Sequence, residues 1–159
     1  MKKKIVGSVA LALVLLCVWF AYKSITKLQQ KEKVQDTQQT LSLIGEKLGI
    51  ETLDSQKPAV LIYFNSECHF CQYEVKEISK NLSKFKQYQL GFMSFEPEIK
   101  AKNFLKEYGL QAFYLSVDEN RLTTHIMGGV PQVFIYDDNS LKKHFKGEVK
   151  IEAILKVLE

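Results

Sequence analysis

The feature that most constrains this chain is an apolar run that leads, after a short turn, into a pair of cysteines. Ala59–Phe64 is continuously apolar, as in a strand that is covered on both faces of a sheet. The segment Cys68-His69-Phe70-Cys71 follows three residues later. Beyond it, apolar residues recur at the spacing of one helical face: Val75, Ile78, Leu82 and Phe85. The sequence therefore predicts a buried strand, a turn that carries two thiols, and a helix.

Alternating strand and helix patterns continue to the end of the chain. Their predicted order is a strand at Leu90–Phe95, a helix from Pro97 to Gly109, a short strand at Ala112–Val117 with a polar stretch to Met127, a hairpin of Gln132–Tyr136 and Leu141–Phe145, and a final helix with Ile151, Ile154, Leu155 and Leu158 on one face. Residues 137–140 supply the hairpin turn. This order predicts an α/β fold with a central mixed β-sheet flanked by helices.

The N-terminus reads as a membrane segment. Three lysines at positions 2–4 precede Ile5–Tyr22, which is 18 residues long and uncharged. That length is enough to span a bilayer core, and Trp19 and Tyr22 suit the interface. We expect an uncleaved signal anchor, with a cleaved signal peptide or a lipoprotein signal at Cys17 as the alternatives. The short basic N-terminus and the large domain that follows favour an orientation with the N-terminus in the cytoplasm. The domain would then face the periplasm or cell exterior.

The charge of the chain is divided unevenly among three predicted regions. Of the net +4, residues 1–22 (the transmembrane helix) carry +3, residues 23–40 (a polar helical stalk) carry +2, and residues 41–159 (the globular domain) carry −1. A nucleic-acid surface usually needs a basic stripe, often with arginines, and Arg121 is the single arginine. We therefore expect a membrane-attached α/β domain and no nucleic-acid partner.

The position of the two cysteines indicates redox chemistry. Cys68 would lie at the start of a helix, where unpaired backbone N–H groups and the helix dipole favour a thiolate. We therefore assign Cys68 as the nucleophile and Cys71, one turn further in, as the resolving thiol. His69 would favour the Cys68 thiolate and Glu67 would disfavour it. Phe70 would either shield the sulfurs or present an apolar platform to a partner.

A second segment of interest is Gly128-Gly129-Val130-Pro131, directly before the strand at Gln132–Tyr136. A proline can begin a strand because its missing N–H need not be paired there. Only about 5–6% of X–Pro bonds in folded proteins are cis. From propensity alone, the Val130–Pro131 bond is therefore expected to be trans.

Together these segments resemble the thioredoxin superfamily. The most specific parts are residues 64–74, Phe-Asn-Ser-Glu-Cys-His-Phe-Cys-Gln-Tyr-Glu, and residues 129–137, Gly-Val-Pro-Gln-Val-Phe-Ile-Tyr-Asp. The resemblance covers residues 41–159. Within the superfamily, the chain is most similar to the extracytoplasmic TlpA/ResA-like thiol–disulfide oxidoreductases, which are membrane-anchored.

The resemblance implies a set of roles beyond the cysteines. Pro131 would be a cis-proline packed beside the two cysteines, Val130 would offer backbone groups to a substrate strand, and Gly147 would let substrate approach. Ala112–Val117 and its loop would be the element that this branch inserts. No cofactor is implied other than the Cys68–Cys71 redox-active disulfide. The implied partners are extracytoplasmic protein thiols and disulfides, together with a membrane electron donor.

The chain also departs from the family pattern. Glu67 stands where tryptophan often precedes the first cysteine, Lys76 stands where a proline is often found, and Ile62 replaces the buried acid of many thioredoxins. That acid assists proton transfer from the resolving thiol. Glu74 is a possible proton shuttle in its place, with a solvated helix residue as the alternative.

Other functions compete with disulfide exchange. The chain could be a non-catalytic thioredoxin-like adaptor with an inert disulfide. It could also be a copper-binding protein that uses the two cysteines with His125, although no full set of four zinc ligands is evident and no metal site is predicted. A peroxidase of the peroxiredoxin type would require Thr and Pro where the chain has Asn65 and Leu61.

Overall fold

A computed structural model describes residues 2–159, with side chains from residue 13 onward. The chain divides into two compact units, Met1–Asp36 and Thr37–Glu159. The first unit is formed by the helix α1 (Lys2–Thr37). Large apolar side chains of α1 between residues 13 and 28 are exposed.

None of the helices in the described part of the chain combines the length and the apolar character that crossing a bilayer requires. The predicted membrane segment, residues 1–22, lies partly outside the residues whose side chains are described.

The second unit is built on one four-stranded sheet. Its strands are β1 (Ala59–Phe64), β2 (Gln89–Ser94), β3 (Gln132–Asp137) and β4 (Ser140–Lys146). They lie in the order β2-β1-β3-β4, with β2 parallel to β1 and with β3 antiparallel to both of its neighbours. The predicted central mixed sheet is confirmed.

Five helices accompany the sheet in this unit. They are α2 (Leu41–Leu48), α3 (His69–Lys80), α4 (Glu98–Glu107), α5 (Glu119–His125) and α6 (Ile151–Leu158). The helix α4 ends as its sequence predicts, because Gly109 has a φ of 71° and the N–H of Leu110 reaches back to the carbonyl of Leu105.

The central strand β1 is buried along its whole length because helices cover both faces of the sheet. Its even-numbered residues Val60, Ile62 and Phe64 pack in a core with apolar residues of α3, α4 and α6. Its odd-numbered residues Ala59, Leu61 and Tyr63 pack in a second core with residues of α2 and α5. The alternation follows from the two-residue period of a strand, and it explains why the run carries no polar residue.

The hairpin of β3 and β4 turns at Asp138 and Asn139, which have φ values of 48° and 59°. Two successive positive φ angles define the two-residue turn that best matches the twist of a hairpin, and Asp and Asn tolerate this conformation. The hairpin predicted from residues 137–140 is confirmed.

Two predicted elements differ in the structure. The expected strand at 112–117 is instead a 3₁₀ turn (Gln111–Phe113) followed by a single bridge between Tyr114 and Phe92. Its apolar residues divide between the two cores without forming a ladder, and this produces the strand-like pattern. The polar stretch after it contains the helix α5, whose N-cap Asp118 accepts a hydrogen bond from the N–H of Arg121.

The helix after the cysteines is also shorter than its apolar spacing predicts. The helix α3 ends at Lys80, and Leu82–Phe85 forms a separate 3₁₀ turn. Asn81 interrupts the helix: its side-chain amide donates to the carbonyl of Glu77 at 2.9 Å, and its backbone N–H donates to the carbonyls of Glu77 and Ile78. Local side-chain bonds of this kind compete with continuation of a helix.

Candidate active site

The turn between β1 and α3 presents Cys68 as the N-cap residue of the helix. Asn65 shapes this turn: its side-chain oxygen accepts from the N–H of Glu67 at 2.8 Å, and its backbone carbonyl accepts from the N–H of Cys68 at 3.2 Å. Such local bonding is what Asn provides in tight turns. The Cys68 side chain is partly exposed and carries a free thiol at the positive end of α3.

A buried acid from outside the turn holds it in place. The carboxylate of Glu96 accepts hydrogen bonds from the backbone N–H and from the hydroxyl of Ser66, both at 2.6 Å. Ser94 donates a further bond at 3.2 Å, and the ammonium of Lys100 lies 2.8 Å away. Burial alone would raise the pKa of Glu96, but the bonds from Lys100 and Ser66 outweigh it and lower the pKa below its ordinary value.

Lys100 links this acid to the residue before the first cysteine. Its ammonium lies 2.7 Å from a carboxylate oxygen of Glu67, while it also contacts Glu96. Glu67 is largely exposed, so this contact is worth little energy by itself. The pairing nevertheless places a positive charge beside the Glu67 carboxylate, which offsets the negative charge next to Cys68.

The second cysteine, Cys71, lies on the buried face of α3 and has no exposed surface. Its thiol is also free. Burial raises the pKa of Cys71 above its ordinary value, and the neighbouring Cys68 thiol and the Glu74 carboxyl raise it further against an opposing contribution from the Asn65 backbone. The two thiols are therefore unequal: Cys68 is accessible, and Cys71 is enclosed and held in its protonated form.

Glu74 lies one turn beyond Cys71 and is 1% exposed. The alternative interpretation of Glu74 as a solvated helix residue is therefore wrong. Within the described part of the chain, neither of its carboxylate oxygens has a hydrogen-bond partner. Burial raises the pKa of Glu74 to about 8; the backbone N–H of Val149 opposes this, and the charge of Glu148 adds to it. A carboxyl that titrates near neutral pH can both accept and donate a proton.

The segment before β3 meets the first cysteine. The Val130–Pro131 peptide bond is cis, so the trans bond expected from propensity is wrong. The tertiary amide of an X–Pro bond makes both isomers accessible, and the isomer is decided by the surrounding fold. The carbonyl oxygen of Val130 lies 3.7 Å from Sγ of Cys68 and accepts from its thiol.

Gly147, which follows the hairpin, is tied to the same proline. Its N–H donates to the carbonyl of Pro131 at 2.9 Å, and its φ is 84°. A side-chain Cβ added at this position would meet no described atom within 4 Å. The backbone conformation alone therefore favours glycine at this position.

The similarity of this chain to known proteins is seen in its structure and not in its sequence. No protein-family model matches the sequence, and no curated protein matches it. Among solved structures, the chain is similar to a secreted Mycobacterium tuberculosis disulfide oxidoreductase homologous to E. coli DsbE. The TM-score is 0.58 and the identity is 19%, over 80% of this chain and 96% of that one.

Two further structures show the same likeness. StoA from Bacillus subtilis aligns with a TM-score of 0.53 and 14% identity, over 67% of this chain and 85% of that one. A thio-disulfide isomerase from Thermus thermophilus aligns with a TM-score of 0.54 and 23% identity, over 67% of this chain and 79% of that one. The chain has a thioredoxin-like fold. At the level of the fold, the resemblance seen in the sequence is confirmed.

The thioredoxin-like fold brings most of the predicted site residues to one place. Cys68, Cys71 and Glu74 lie on or at the start of α3, with the Val130 carbonyl against Cys68. His69 and Phe70 follow Cys68 on the exposed side of the helix, with their rings 6.1 Å apart. Sequence reasoning missed Glu96 and Lys100, which lie 30 or more residues beyond the turn they hold.

The alternative function of copper binding would require a cluster of metal-ligating side chains. Among the residues that the structure describes, no three His, Cys, Asp or Glu side chains are grouped in a way that could hold a metal ion. This includes the two cysteines with His125, which ends α5.

Proposed function

We propose that this chain is a thiol–disulfide oxidoreductase that exchanges disulfides with protein partners through Cys68 and Cys71. The observation that carries the proposal is the pairing of an accessible thiol, Cys68, which contacts the Val130 carbonyl, with a buried thiol, Cys71, on the same helix. The likeness to solved structures whose names are those of disulfide oxidoreductases and isomerases supports the same chemistry.

The proposed reaction begins at the exposed sulfur. The Cys68 thiolate attacks one sulfur of a substrate disulfide, the substrate S–S bond breaks, and the second substrate sulfur leaves as a thiolate and takes up a proton. A mixed disulfide then joins Cys68 to the substrate. The unpaired N–H groups at the N-terminus of α3 favour the attacking thiolate, and the partial exposure of Cys68 lets a substrate reach its sulfur.

Resolution requires a proton to leave the buried thiol. Cys71 gives its proton to the carboxylate of Glu74, and its sulfur attacks the sulfur of Cys68. The mixed disulfide breaks, the substrate leaves as a second thiolate that takes up a proton, Glu74 releases the proton it received, and the Cys68–Cys71 disulfide remains. Two electrons have then passed from the dithiol to the substrate, and no cofactor other than this disulfide takes part. Glu74 suits this role because its pKa of about 8 lies close to neutral pH.

The surface around Cys68 fits a protein partner. Phe70 exposes 55% of its surface, and Tyr73 and Met127 are also exposed apolar residues. The exposure of Phe70 favours its interpretation as an apolar platform for a partner. His69 lies beside it. We further propose that a substrate strand lies along the backbone of Val130 and passes close to Gly147.

We also propose that residues 1–22 anchor the chain in a membrane, with residues 23–40 as a stalk and residues 41–159 on the outer side. The supporting observations are the uncharged run of 18 residues and the exposure of its described apolar side chains, such as Leu16 and Phe20. In an oxidising compartment the dithiol needs a supply of electrons, so we propose a membrane electron donor as a second partner.

Insulin reduction in the presence of dithiothreitol tests the proposed activity. The full chain in detergent is expected to accelerate insulin precipitation, and Cys68→Ser is expected to abolish the acceleration. Cys17→Ser is the matched control and should retain it, because Cys17 lies in α1, far along the chain from the site. Activity that survives in Cys68→Ser would refute the assignment of the nucleophile.

A further inference from the structure

Gln132 is a fully buried polar residue that directly follows the cis-proline. Its side-chain nitrogen donates to the carbonyl of Gly129 at 2.7 Å and to the carbonyl of Met127 at 3.2 Å. A carbonyl oxygen can only accept, so the amide nitrogen must face these two groups. The amide oxygen of Gln132 therefore points the opposite way.

His144 meets that oxygen from the neighbouring strand. Its Nε2 lies 2.8 Å from Oε1 of Gln132, and its ring stacks on Phe134 with the centroids 4.1 Å apart. Since Oε1 of Gln132 can only accept, Nε2 of His144 must carry a proton. Burial, together with the charge of Lys146, lowers the pKa of His144 to about 4, so the ring is neutral at neutral pH with its single proton on Nε2.

These hydrogen bonds connect the edge strand β4 to Cys68 through the loop before β3. His144 on β4 orients Gln132 on β3, and Gln132 holds the carbonyls on either side of Gly128. The next residue in the loop is Val130, whose carbonyl accepts from Cys68. Gly128 and Gly129 give this loop wide conformational freedom, and Gly128 has a φ of 105°. A loop with two successive glycines needs such contacts to keep one conformation.

We propose that His144 and Gln132 are positioning residues that hold the 127–130 loop in the conformation that receives a polypeptide substrate. The inference rests on the proposed function, because it assumes that a substrate strand lies along Val130. Neither side chain touches a sulfur in the proposed reaction. Their loss should therefore weaken the reaction with polypeptide disulfides and leave the intrinsic reactivity of Cys68 in place.

The test compares a polypeptide and a small disulfide as oxidants of the reduced full chain. Stopped-flow measurements give second-order rate constants with insulin and with 5,5′-dithiobis(2-nitrobenzoate). His144→Phe keeps the stacking on Phe134 and removes the donor. We expect it to lower the rate constant for insulin about tenfold and to change the rate constant for the small disulfide less than twofold. Lys142→Gln, an exposed change on the same strand, should alter neither.

A second variant tests whether His144 acts through Gln132. Gln132→Met preserves the length of the side chain and removes both sets of hydrogen bonds. We expect the double variant, His144→Phe with Gln132→Met, to react with insulin no more slowly than Gln132→Met alone. The hydrogen bonds from Gln132 to the loop are already absent in the single variant. Independent, additive losses would overturn the proposal. An unchanged rate in His144→Phe, or equal losses with both oxidants, would overturn it as well.

Two further outcomes keep the inference separate from the proposed function. If the wild-type chain fails to reduce insulin, the proposed function falls, and the inference falls with it. If the wild type is active and His144→Phe matches it, only the inference falls. Should the variants not fold, the ¹⁵N resonances of His144 in the wild type decide: a neutral ring protonated at Nε2 supports the proposal, and one protonated at Nδ1 overturns it.

Discussion

Cys71 and Glu74 lie one helical turn apart on the buried face of α3, where the thiol has no exposed surface and the carboxyl has no described hydrogen-bond partner. Burial raises the pKa of both groups, and the charge of Glu74 raises the pKa of Cys71 further. In the proposed reaction a proton passes between these two groups. This relationship leads to two predictions on Glu74.

Glu74→Gln should slow resolution of the mixed disulfide by about 100-fold, because Cys71 loses its proton acceptor. The first attack by Cys68 should be little affected. Stopped-flow measurement of both steps across pH 6 to 9 separates them. The wild-type resolution rate should show an inflection near pH 8, and the variant should lack it. An inflection that persists unchanged in Glu74→Gln would contradict the role of Glu74.

The same substitution should change stability in a pH-dependent way. The folded-state pKa of Glu74, about 8, lies above the ordinary carboxyl value of 4.5, so the unfolded chain releases the proton first as pH rises. The contribution of protonated Glu74 to stability is therefore fully present below pH 4.5 and is lost as pH rises through 8. At pH 9, Glu74→Gln should exceed the wild type by roughly 5 kcal/mol in the free energy of unfolding.

Urea unfolding of the reduced protein at several pH values measures this difference. The advantage of Glu74→Gln should shrink steadily toward pH 5. Glu152→Gln is the matched control, because Glu152 is an exposed acid on another helix and should show no such trend. An advantage that is constant with pH would mean that burial of the Glu74 charge is not its cause.

Glu96→Gln should loosen the turn that carries Cys68. The substitution removes a buried charge that accepts from Ser66, Ser94 and Lys100, and we expect a loss of about 2–3 kcal/mol in the free energy of unfolding. The pKa of Glu96 is lowered in the folded protein, so this contribution should be present at neutral pH and lost on acidification below the ordinary carboxyl pKa.

Chemical denaturation of Glu96→Gln and Glu98→Gln provides the comparison. Glu98 is an exposed acid at the start of α4, two residues beyond Glu96, and its contacts with Lys102 and Ser116 lie at the surface, so its loss should change stability little. Equal effects of the two substitutions would show that the buried contacts of Glu96 do not hold the turn.

Gly147→Ala should destabilise the chain by roughly 1 kcal/mol because of its positive φ. Gly129→Ala is a matched control: here too a Cβ would meet no described atom within 4 Å, but the backbone conformation is not left-handed. Thermal unfolding of both variants distinguishes the two cases. If Gly147→Ala unfolds at the same temperature as the wild type, the backbone conformation at residue 147 does not depend on glycine.

The fold was largely predictable because its signals are local. The continuous apolar run of β1 and the turn at Asp138 and Asn139 each specify an element from a few neighbouring residues. The helix α5 was missed, although the Asp118 cap and the four-residue spacing of Leu122 and Ile126 both point to it. A short helix with one apolar residue, Leu122, resembles a polar loop when composition alone is considered.

The site was predictable only in part because several of its contacts join distant residues. Glu96 reaches Ser66 across 30 residues only because β1 and β2 pair in parallel and bring their ends together. The burial of Glu74 had a local signal, since Cys71, Glu74, Val75 and Ile78 fall on one face of a helix. Propensity gave no signal for the cis isomer of the Val130–Pro131 bond, which the family resemblance alone implied.

The central claim is that Cys68 forms a covalent intermediate which Cys71 resolves, and trapping that intermediate tests it most directly. The full chain with Cys17→Ser and Cys71→Ser, reduced and then mixed with insulin, is analysed by non-reducing mass spectrometry and peptide mapping. We predict one insulin chain per protein, attached through Cys68 and released by dithiothreitol. The matched Cys17→Ser, Cys68→Ser protein should give no adduct, because Cys71 is buried. An adduct on Cys71, or none on Cys68, would contradict the account.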